Sequence, residues 1–270
     1  MEQQIHQAVE IALSGTADPT LKSQAFEFIN HIKSTEEGYK ACVDILIKSS
    51  NESINDGLKF FVYQVIDENI DKLSQEQVFT LNQELFKCLS SYISNNLQDP
   101  THLRNKFAQI LAKQFCQVYI NIYPNFIKDL LELINVSEAT STNPNNLLAI
   151  DYYTRVLIGI HSEIGDKYIT RSQEIHDRNN LLKDAIRTQD MQQMVTSWIQ
   201  ILTNPSFAHS EEILNNTLKI VGQYVSWMEI SLFISPEFIN TVFSFLQNSK
   251  LRNTTCETLI DIISRSEEHT

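Results

Sequence analysis

The stretch Pro100–Leu133 decides the fold of this chain, and it reads PTHLRNKFAQILAKQFCQVYINIYPNFIKDLLEL. Its large apolar residues return every three or four positions, which is the spacing of one buried face of an α-helix. These residues are Leu103, Phe107, Ile110, Leu111, Val118 and Ile122. Pro124 interrupts the pattern, because proline lacks the backbone N–H that a helix interior requires. We therefore predict one long amphipathic helix, a break at Pro124 and a second, short helix.

The same stretch is the one basic segment of an acidic protein. No carboxylate occurs between Asp99 and Asp129, whereas the whole chain has 33 acidic residues against 21 Lys and Arg, a net charge of −12. The basic residues of the segment are Arg104, Lys106, Lys113 and Lys128. Lys106, Gln109, Lys113 and Gln117 follow one another at intervals of three, four and four residues, so the helical period places them on one polar side. Periodicity alone leaves two interpretations of this side open, a solvated helix face and a binding surface.

Apolar spacings typical of helices continue along the rest of the chain. Only 6 Gly and 6 Pro occur in 270 residues, and 42% of the residues are hydrophobic, which favours helices over a turn-rich β fold. About a dozen helices follow one another in pairs, with a period near ~40 residues. This pattern predicts an all-α protein, an α-solenoid of HEAT-type helical hairpins with about six to seven repeats in a right-handed superhelix. A closed helical bundle is the structural alternative.

An internal echo supports repetition. The tripeptide Leu103-Arg104-Asn105 is followed by Gln109 and Leu111, and it returns as a second Leu-Arg-Asn with Glu and Leu at the same offsets. The second copy consists of Leu251, Arg252, Asn253, Glu257 and Leu259. Both copies fit the beginning of a helix whose apolar residues are buried.

Motifs for catalysis or phosphate binding are absent from the sequence. It contains no Walker-type phosphate loop, no dinucleotide-binding glycine motif, no zinc-protease motif and no nucleophile elbow. The seven histidines are dispersed, so neither a metal site nor an acid–base pair is indicated. No apolar run approaches the ~20 residues that span a bilayer. We therefore expect a protein that is not an enzyme, has no cofactor or metal of its own and does not insert into a membrane.

A second polar helix side precedes the basic segment. Phe60, Tyr63, Gln64, Asp67 and Glu68 fall on the side of their helix away from the apolar positions. Large aromatic residues on an exposed side tend to mark contacts with a partner. A contact surface and an ordinary solvated face are both compatible with this pattern.

Four stretches of the sequence resemble the exportin-T family, the tRNA-exporting branch of the importin-β (karyopherin) superfamily. The stretches read FFVYQVI from Phe60, LRNKFAQ from Leu103, VGQYVSWMEISL from Val221 and LRNTTC from Leu251. They occur in the family's order and extend over most of the chain. The V-G-x-Y-V-S-W segment is the most specific, since several exportins share similar versions of it.

The resemblance implies a nuclear export receptor that binds Ran in its GTP form and, together with Ran, tRNA. GTP is then carried by Ran and not by this chain. It further implies contacts with nuclear pore proteins, a monomer, and shuttling between nucleus and cytoplasm. Exportins are several times longer than this chain, so the chain corresponds to an N-terminal part of one. Residues 1–135 would be the Ran-binding HEAT repeats, and residues 136–270 exportin-type HEAT repeats truncated at the C-terminus.

The resemblance also gives the two polar helix sides a role. The predicted Ran-binding residues are Phe60, Tyr63, Gln64, Asp67, Glu68, Asn105, Lys106, Gln109 and Lys113. The predicted tRNA contacts are Arg104, Lys106 and Lys113. An acidic surface suits a basic protein partner, and residues 1–100 contain 15 acidic and 7 basic residues. The functional alternatives are another exportin with protein or double-stranded RNA cargo, and a general HEAT scaffold without Ran binding.

Overall fold

The structure has α-helices where the spacing of apolar residues in the sequence predicts them. The structure is a computed structural model, and it describes residues 1–50, 52, 54–134 and 144–267. These residues form thirteen α-helices and four short 3-10 helices, and they include no β-strand. The predicted all-α class is therefore confirmed. The chain divides into two compact units, Met1–Gln114 and Phe115–Thr270. The predicted domain boundary at residues 135 and 136 lies outside the described residues, so that division stays a prediction.

Unit 1 is built from consecutive helical hairpins. Its helices are α1 (Glu2–Leu13), α2 (Pro19–Ser34), α3 (Glu36–Ser49), α4 (Asp56–Asn69), α5 (Gln75–Ser94) and most of α6 (Thr101–Val118). Helix α1 packs on α2, and α3 packs on α4. Helix α4 also lies beside α2, since Asn69 Nδ2 donates to the Lys33 carbonyl at 3.3 Å. Helix α5 lies beside α3, where the hydroxyls of Tyr92 and Ser49 are 3.2 Å apart.

The helix starts of unit 1 follow from local chemistry. Asp18 accepts hydrogen bonds from the backbone N–H groups of Thr20 and Leu21, and Pro19 occupies the first turn of α2. Ser74 and Gln77 form a capping box at the start of α5, in which each side chain binds the other residue's backbone N–H. Such side chains satisfy backbone donors that have no partner inside the helix.

Unit 2 begins with the last turn of α6 and continues through seven further helices. They are α7 (Phe126–Leu133), α8 (Pro144–Ile164), α9 (Gln173–Gln189), α10 (Met191–Thr203), α11 (Glu211–Val225), α12 (Pro236–Ser244) and α13 (Arg252–Glu267). Helix α11 packs between α8 and α13, while α10 contacts α9, α11 and α12. Side-by-side stacking of this kind is typical of HEAT-type hairpins, as the sequence predicts, and does not fit a closed bundle. The number of repeats and the hand of the superhelix stay predictions.

The two Leu-Arg-Asn copies of the internal echo lie at the starts of α6 and α13. Arg104 Nε donates to the Asp99 carbonyl at 3.1 Å, and Arg252 Nε donates to the Leu246 carbonyl at 2.9 Å. In each case an arginine in the first turn binds a carbonyl of the segment that precedes its own helix; for Arg252 that segment is the short 3-10 helix Phe245–Gln247. The leucines at the matching positions, Leu103, Leu111, Leu251 and Leu259, are all buried.

Candidate partner-binding surface

The two predicted polar helix sides meet at one carboxylate in unit 1. Asp67 on α4 is ion-paired with two lysines of α6: its Oδ2 lies 2.6 Å from Lys106 Nζ, and its Oδ1 lies 2.6 Å from Lys113 Nζ. Lys106 Nζ also donates to Gln109 Oε1 at 3.2 Å. We call Asp67, Lys106 and Lys113 the Asp67 cluster. It joins α6 to α4 through two ion pairs.

The Asp67 carboxylate is held in its charged form. Burial by itself would raise the pKa of Asp67, but the hydrogen bonds and charges of Lys106 and Lys113 outweigh burial and lower that pKa from its ordinary value. Two lysines share one carboxylate, so the Asp67 cluster has a formal charge of +1. A phosphate group is therefore attracted less strongly than two free lysines would attract it.

Tyr63 is the clear correction to the sequence-based prediction. The helical period placed it on an exposed side, but its side chain is 0% exposed. Its ring packs 5.6 Å from the ring of Phe107 on α6, and its hydroxyl is 3.2 Å from the hydroxyl of Tyr92. The prediction that Tyr63 lies on an exposed side is wrong, because α6 covers that side of α4.

Asp67 is also buried, whereas the sequence-based prediction placed it on an exposed side. The residue is only 8% exposed, so it lies at the bottom of the contact between α4 and α6. Its carboxylate is occupied by its two lysine partners. Asp67 thus positions Lys106 and Lys113, and any influence on a partner acts through them.

Glu68 and the polar residues of α6 remain available to a partner. Glu68 is exposed, and one of its oxygens lies 3.1 Å from Lys33 Nζ on α2. Asn105 and Gln109 are also exposed. We call the set of accessible polar residues the α4–α6 surface; its members are Gln64, Glu68, Asn105, Lys106, Gln109 and Lys113. Lys33 was missed in the sequence because it belongs to another helix, and no periodic pattern links it to Glu68.

The residues beside the α4–α6 surface are buried or half-buried by local contacts. The Phe60 ring is half-buried, 6.0 Å from the His102 ring at the start of α6. Arg104 is also half-buried, and besides the Asp99 carbonyl its guanidinium binds the Thr101 hydroxyl at 3.3 Å. Lys59 is buried, with its Nζ 2.6 Å from Asp99 Oδ2 and 4.3 Å from the centre of the Tyr92 ring. These contacts fix the connection between α5 and α6 beside the α4–α6 surface.

Two other kinds of site, a membrane span and a metal site, do not occur in the described residues. None of the thirteen α-helices that the structure describes is long and apolar enough to span a membrane. The described residues bring together no group of three His, Cys, Asp or Glu side chains that could hold a metal ion.

Comparisons with known proteins match the chain to one protein family and to several relatives. The family model described as "Exportin 1-like protein" matches residues 100–259. The chain is 98% identical over 265 residues to Exportin-T of Candida albicans, an alignment that covers 98% of this chain and 26% of that protein. The identity to Exportin-T of Scheffersomyces stipitis is 63%, with the same coverage. It is 31% to Exportin-T of Danio rerio, over 94% of this chain and 26% of the relative. The chain thus spans about a quarter of the length of these relatives.

Proposed function

Because the chain belongs to the exportin 1-like protein family, we propose that it is part of a nuclear export receptor that binds RanGTP and takes part in tRNA export. The observation that carries the proposal is its similarity to Exportin-T over nearly all of its own length. The chain then works as a transport receptor and not as an enzyme, and it moves between nucleus and cytoplasm through contacts with nuclear pore proteins.

The α4–α6 surface is the proposed Ran-binding site of unit 1. Glu68, Asn105 and Gln109 offer one exposed carboxylate and two exposed amides, which together can accept and donate hydrogen bonds. Lys106 and Lys113 are held in place by Asp67, so they lose little conformational freedom when a partner binds. The acidic balance of residues 1–100 supports attraction of a basic partner.

tRNA is proposed to bind together with Ran rather than to the α4–α6 surface alone. Lys106 and Lys113 are partly neutralised by Asp67, and the Arg104 guanidinium binds local backbone and hydroxyl groups. These three residues therefore offer a weak phosphate site. Positive coupling would appear as a higher tRNA affinity when RanGTP is present, and it must be reciprocal.

The proposal is tested by comparing the affinity for Ran loaded with a GTP analogue and with GDP. We expect the GTP form to bind at least about tenfold more tightly, measured by isothermal titration calorimetry, because the family resemblance implies a GTP-selective receptor. Equal affinity for both forms, or no binding to either, would contradict the proposal.

Charge reversal at Glu68 tests the proposed surface. We expect Glu68→Lys to weaken RanGTP binding by about tenfold, because the side chain is exposed and its reversal places a like charge against a basic partner. Glu27→Lys on the exposed side of α2 is the matched control and should leave the affinity within about twofold. An equal loss in both variants would mean that net charge, and not the α4–α6 surface, sets the affinity.

A further inference from the structure

Trp227 is the last residue of the V-G-x-Y-V-S-W motif, and two cationic side chains of α9 lie near its ring. The motif occupies the end of α11, and Trp227 follows in the next turn. The Trp227 ring centre lies 6.0 Å from Lys183 Nζ and 5.5 Å from Arg187 Cζ. Arg187 Nε also donates to the Trp227 carbonyl at 2.8 Å. The indole of unit 2 thus holds two positive side chains close together.

The charges around Trp227 do not cancel. Lys183 has no carboxylate within ion-pair distance in the parts of the chain that the structure describes. The charged groups that act on Lys183 are Arg187, Arg171 and Asp184. Those that act on His161 are Asp166, Lys183, Arg171 and Lys219. These groups are four cations and two carboxylates, a surplus of +2 among them, and the nearby Lys167 interacts with the carboxylate of Asp261. We call this group the Trp227 cluster.

Titration of the cluster agrees with its positive surplus. Burial, and then the charges of Arg187 and Arg171, lower the pKa of Lys183 from its ordinary value. Burial lowers the pKa of His161 to about 4, with Lys183, Arg171 and Lys219 acting in the same direction against the effect of Asp166. His161 is therefore uncharged at neutral pH. A bound anion would relieve the repulsion among the remaining cations.

A fixed loop presents an exposed aromatic ring beside the cluster. The Arg171 guanidinium donates to the carbonyls of Ser162, Asp166 and Ile169 at 2.6, 2.5 and 3.2 Å, so it ties the loop between α8 and α9. Tyr168 in that loop is 86% exposed. Lys167 Nζ lies 5.5 Å from the centre of the Tyr168 ring. The loop offers a flat ring and a cation to solvent at the same place.

We propose that the Trp227 cluster and Tyr168 form a contact site for an RNA chain, with Lys183 and Lys219 binding phosphates and the Tyr168 ring stacking on an unpaired base. Lysine serves as a point charge for phosphate, and aromatic rings beside cations are the usual platform for single-stranded nucleic acid. An acidic peptide would use the cations but has no base to stack on Tyr168. The inference rests on the proposed function, because the RNA is the cargo of that function.

The test measures binding of fluorescently labelled, unfractionated tRNA to the full chain by anisotropy between 50 and 300 mM salt. We expect the double variant Lys183→Gln, Lys219→Gln to bind about five- to tenfold more weakly at low salt. The slope of log Kd against log salt should fall by about 1 to 2, since each lost phosphate contact contributes somewhat less than 1. Tyr168→Ala should weaken binding by about fivefold or more without changing that slope.

Lys128→Gln is the matched control, because Lys128 is an exposed lysine of the same unit that pairs with Glu132 at 3.8 Å. It should keep the wild-type affinity and slope. An equal effect of the control, wild-type behaviour of the double variant, or no tRNA binding by the wild-type chain would each overturn the inference. Poly-glutamate that competes as well as tRNA would overturn the assignment to RNA.

Two further measurements separate this inference from the proposed function. Acetylation of surface lysines, read by mass spectrometry, should show that tRNA protects Lys183 and Lys219 but not Lys128. The double variant should retain its affinity for Ran loaded with a GTP analogue, because its changes lie in unit 2 and the α4–α6 surface lies in unit 1. If Ran does not bind while Lys183 still governs tRNA binding, the proposed function fails and the RNA site stands.

Discussion

At the scale of single residues, Asp67 has the most consequences for the candidate site. Its carboxylate is buried between Lys106 and Lys113, so removal of its charge leaves two lysine charges facing one another. Breaking a buried pair by removing one partner costs far more than losing an exposed pair, because the remaining charge stays poorly solvated. Asp67 therefore stabilises unit 1 and, at the same time, shapes the surface that we assign to Ran.

We expect Asp67→Asn to lower the free energy of unfolding by about 2 kcal/mol at pH 7, a value reduced for the partial exposure of both lysines. Urea unfolding followed by circular dichroism measures it. Asp44→Asn, at an exposed position of α3, is the control and should stay within about 0.5 kcal/mol. An unfolding free energy of Asp67→Asn equal to that of the wild type would mean that the two ion pairs contribute nothing to stability.

The lowered pKa of Asp67 also predicts how the difference in unfolding free energy between wild type and Asp67→Asn depends on pH. A carboxyl group with a lower pKa in the folded state stabilises the fold above its unfolded pKa, near ~4, and loses that effect as the pH falls through the folded pKa. The stability difference between wild type and Asp67→Asn should thus be constant from pH 7 to 5 and shrink below about pH 4. A difference that grows on acidification would contradict the assigned pKa direction.

Tyr63 shows which part of the site the sequence could not reveal. Helical periodicity correctly separates Leu58, Val62 and Val65 from the polar side, but it assumes that the opposite side meets water. In α4 that side meets α6, so Tyr63 is buried against Phe107. Contacts between helices depend on the tertiary arrangement, and no local pattern in one helix contains that information.

At the scale of helices, capping residues and prolines determine where helices begin, whereas contacts between helices depend on tertiary packing. Asp18, Ser74 and the prolines at positions 19 and 236 mark helix starts in the sequence, and the structure confirms them. Pro124 separates α6 from α7 as expected. The positions of Lys183 and Arg187 over Trp227 could not be predicted from the sequence, because 40 residues separate Arg187 from Trp227.

Gly222 permits the closest approach between α11 and α13. A Cβ atom at this position would lie 3.3 Å from the Thr258 Cα and 2.8 Å from Asp261 Oδ2. The carboxylate can move, but the backbone of α13 would have to shift. Thr258 Oγ1 accordingly reaches the Leu218 carbonyl at 2.9 Å across the same contact.

We expect Gly222→Ala to destabilise the fold by about 1 kcal/mol, because overpacking of about 2 kcal/mol exceeds the ~1 kcal/mol that alanine gains inside a helix. Thermal unfolding measures the effect. Gly15→Ala is the control, since a Cβ there meets nothing within 4 Å, and it should leave the melting temperature almost unchanged. A more stable Gly222→Ala variant would show that α11 and α13 can separate slightly at no cost.

At the scale of the whole molecule, the acidic balance favours rapid encounter with a basic partner. The net charge of −12 acts over distances that depend on salt, since the screening length is about 10 Å at 0.1 M and about 3 Å at 1 M ionic strength. We therefore expect the composition to affect how fast a partner is met, and the proposed α4–α6 surface to affect how long it stays bound.

We expect the association rate constant with RanGTP to fall by about tenfold or more between 50 and 500 mM salt, measured by stopped-flow fluorescence. The dissociation rate constant should change much less, because it depends on short contacts. An association rate constant that does not respond to salt would show that the acidic balance does not steer this partner.

The paired starts of α6 and α13 bear on how such a chain evolves. Arg104 and Arg252 each bind a carbonyl a few residues before their own position in the chain, so each helix start is fixed by its immediate surroundings. A start of this kind needs no distant sequence, and a hairpin can therefore be duplicated or deleted without disturbing how the next one begins. Gene duplication can lengthen the protein in steps of one hairpin, and each new copy is free to diversify its exposed residues.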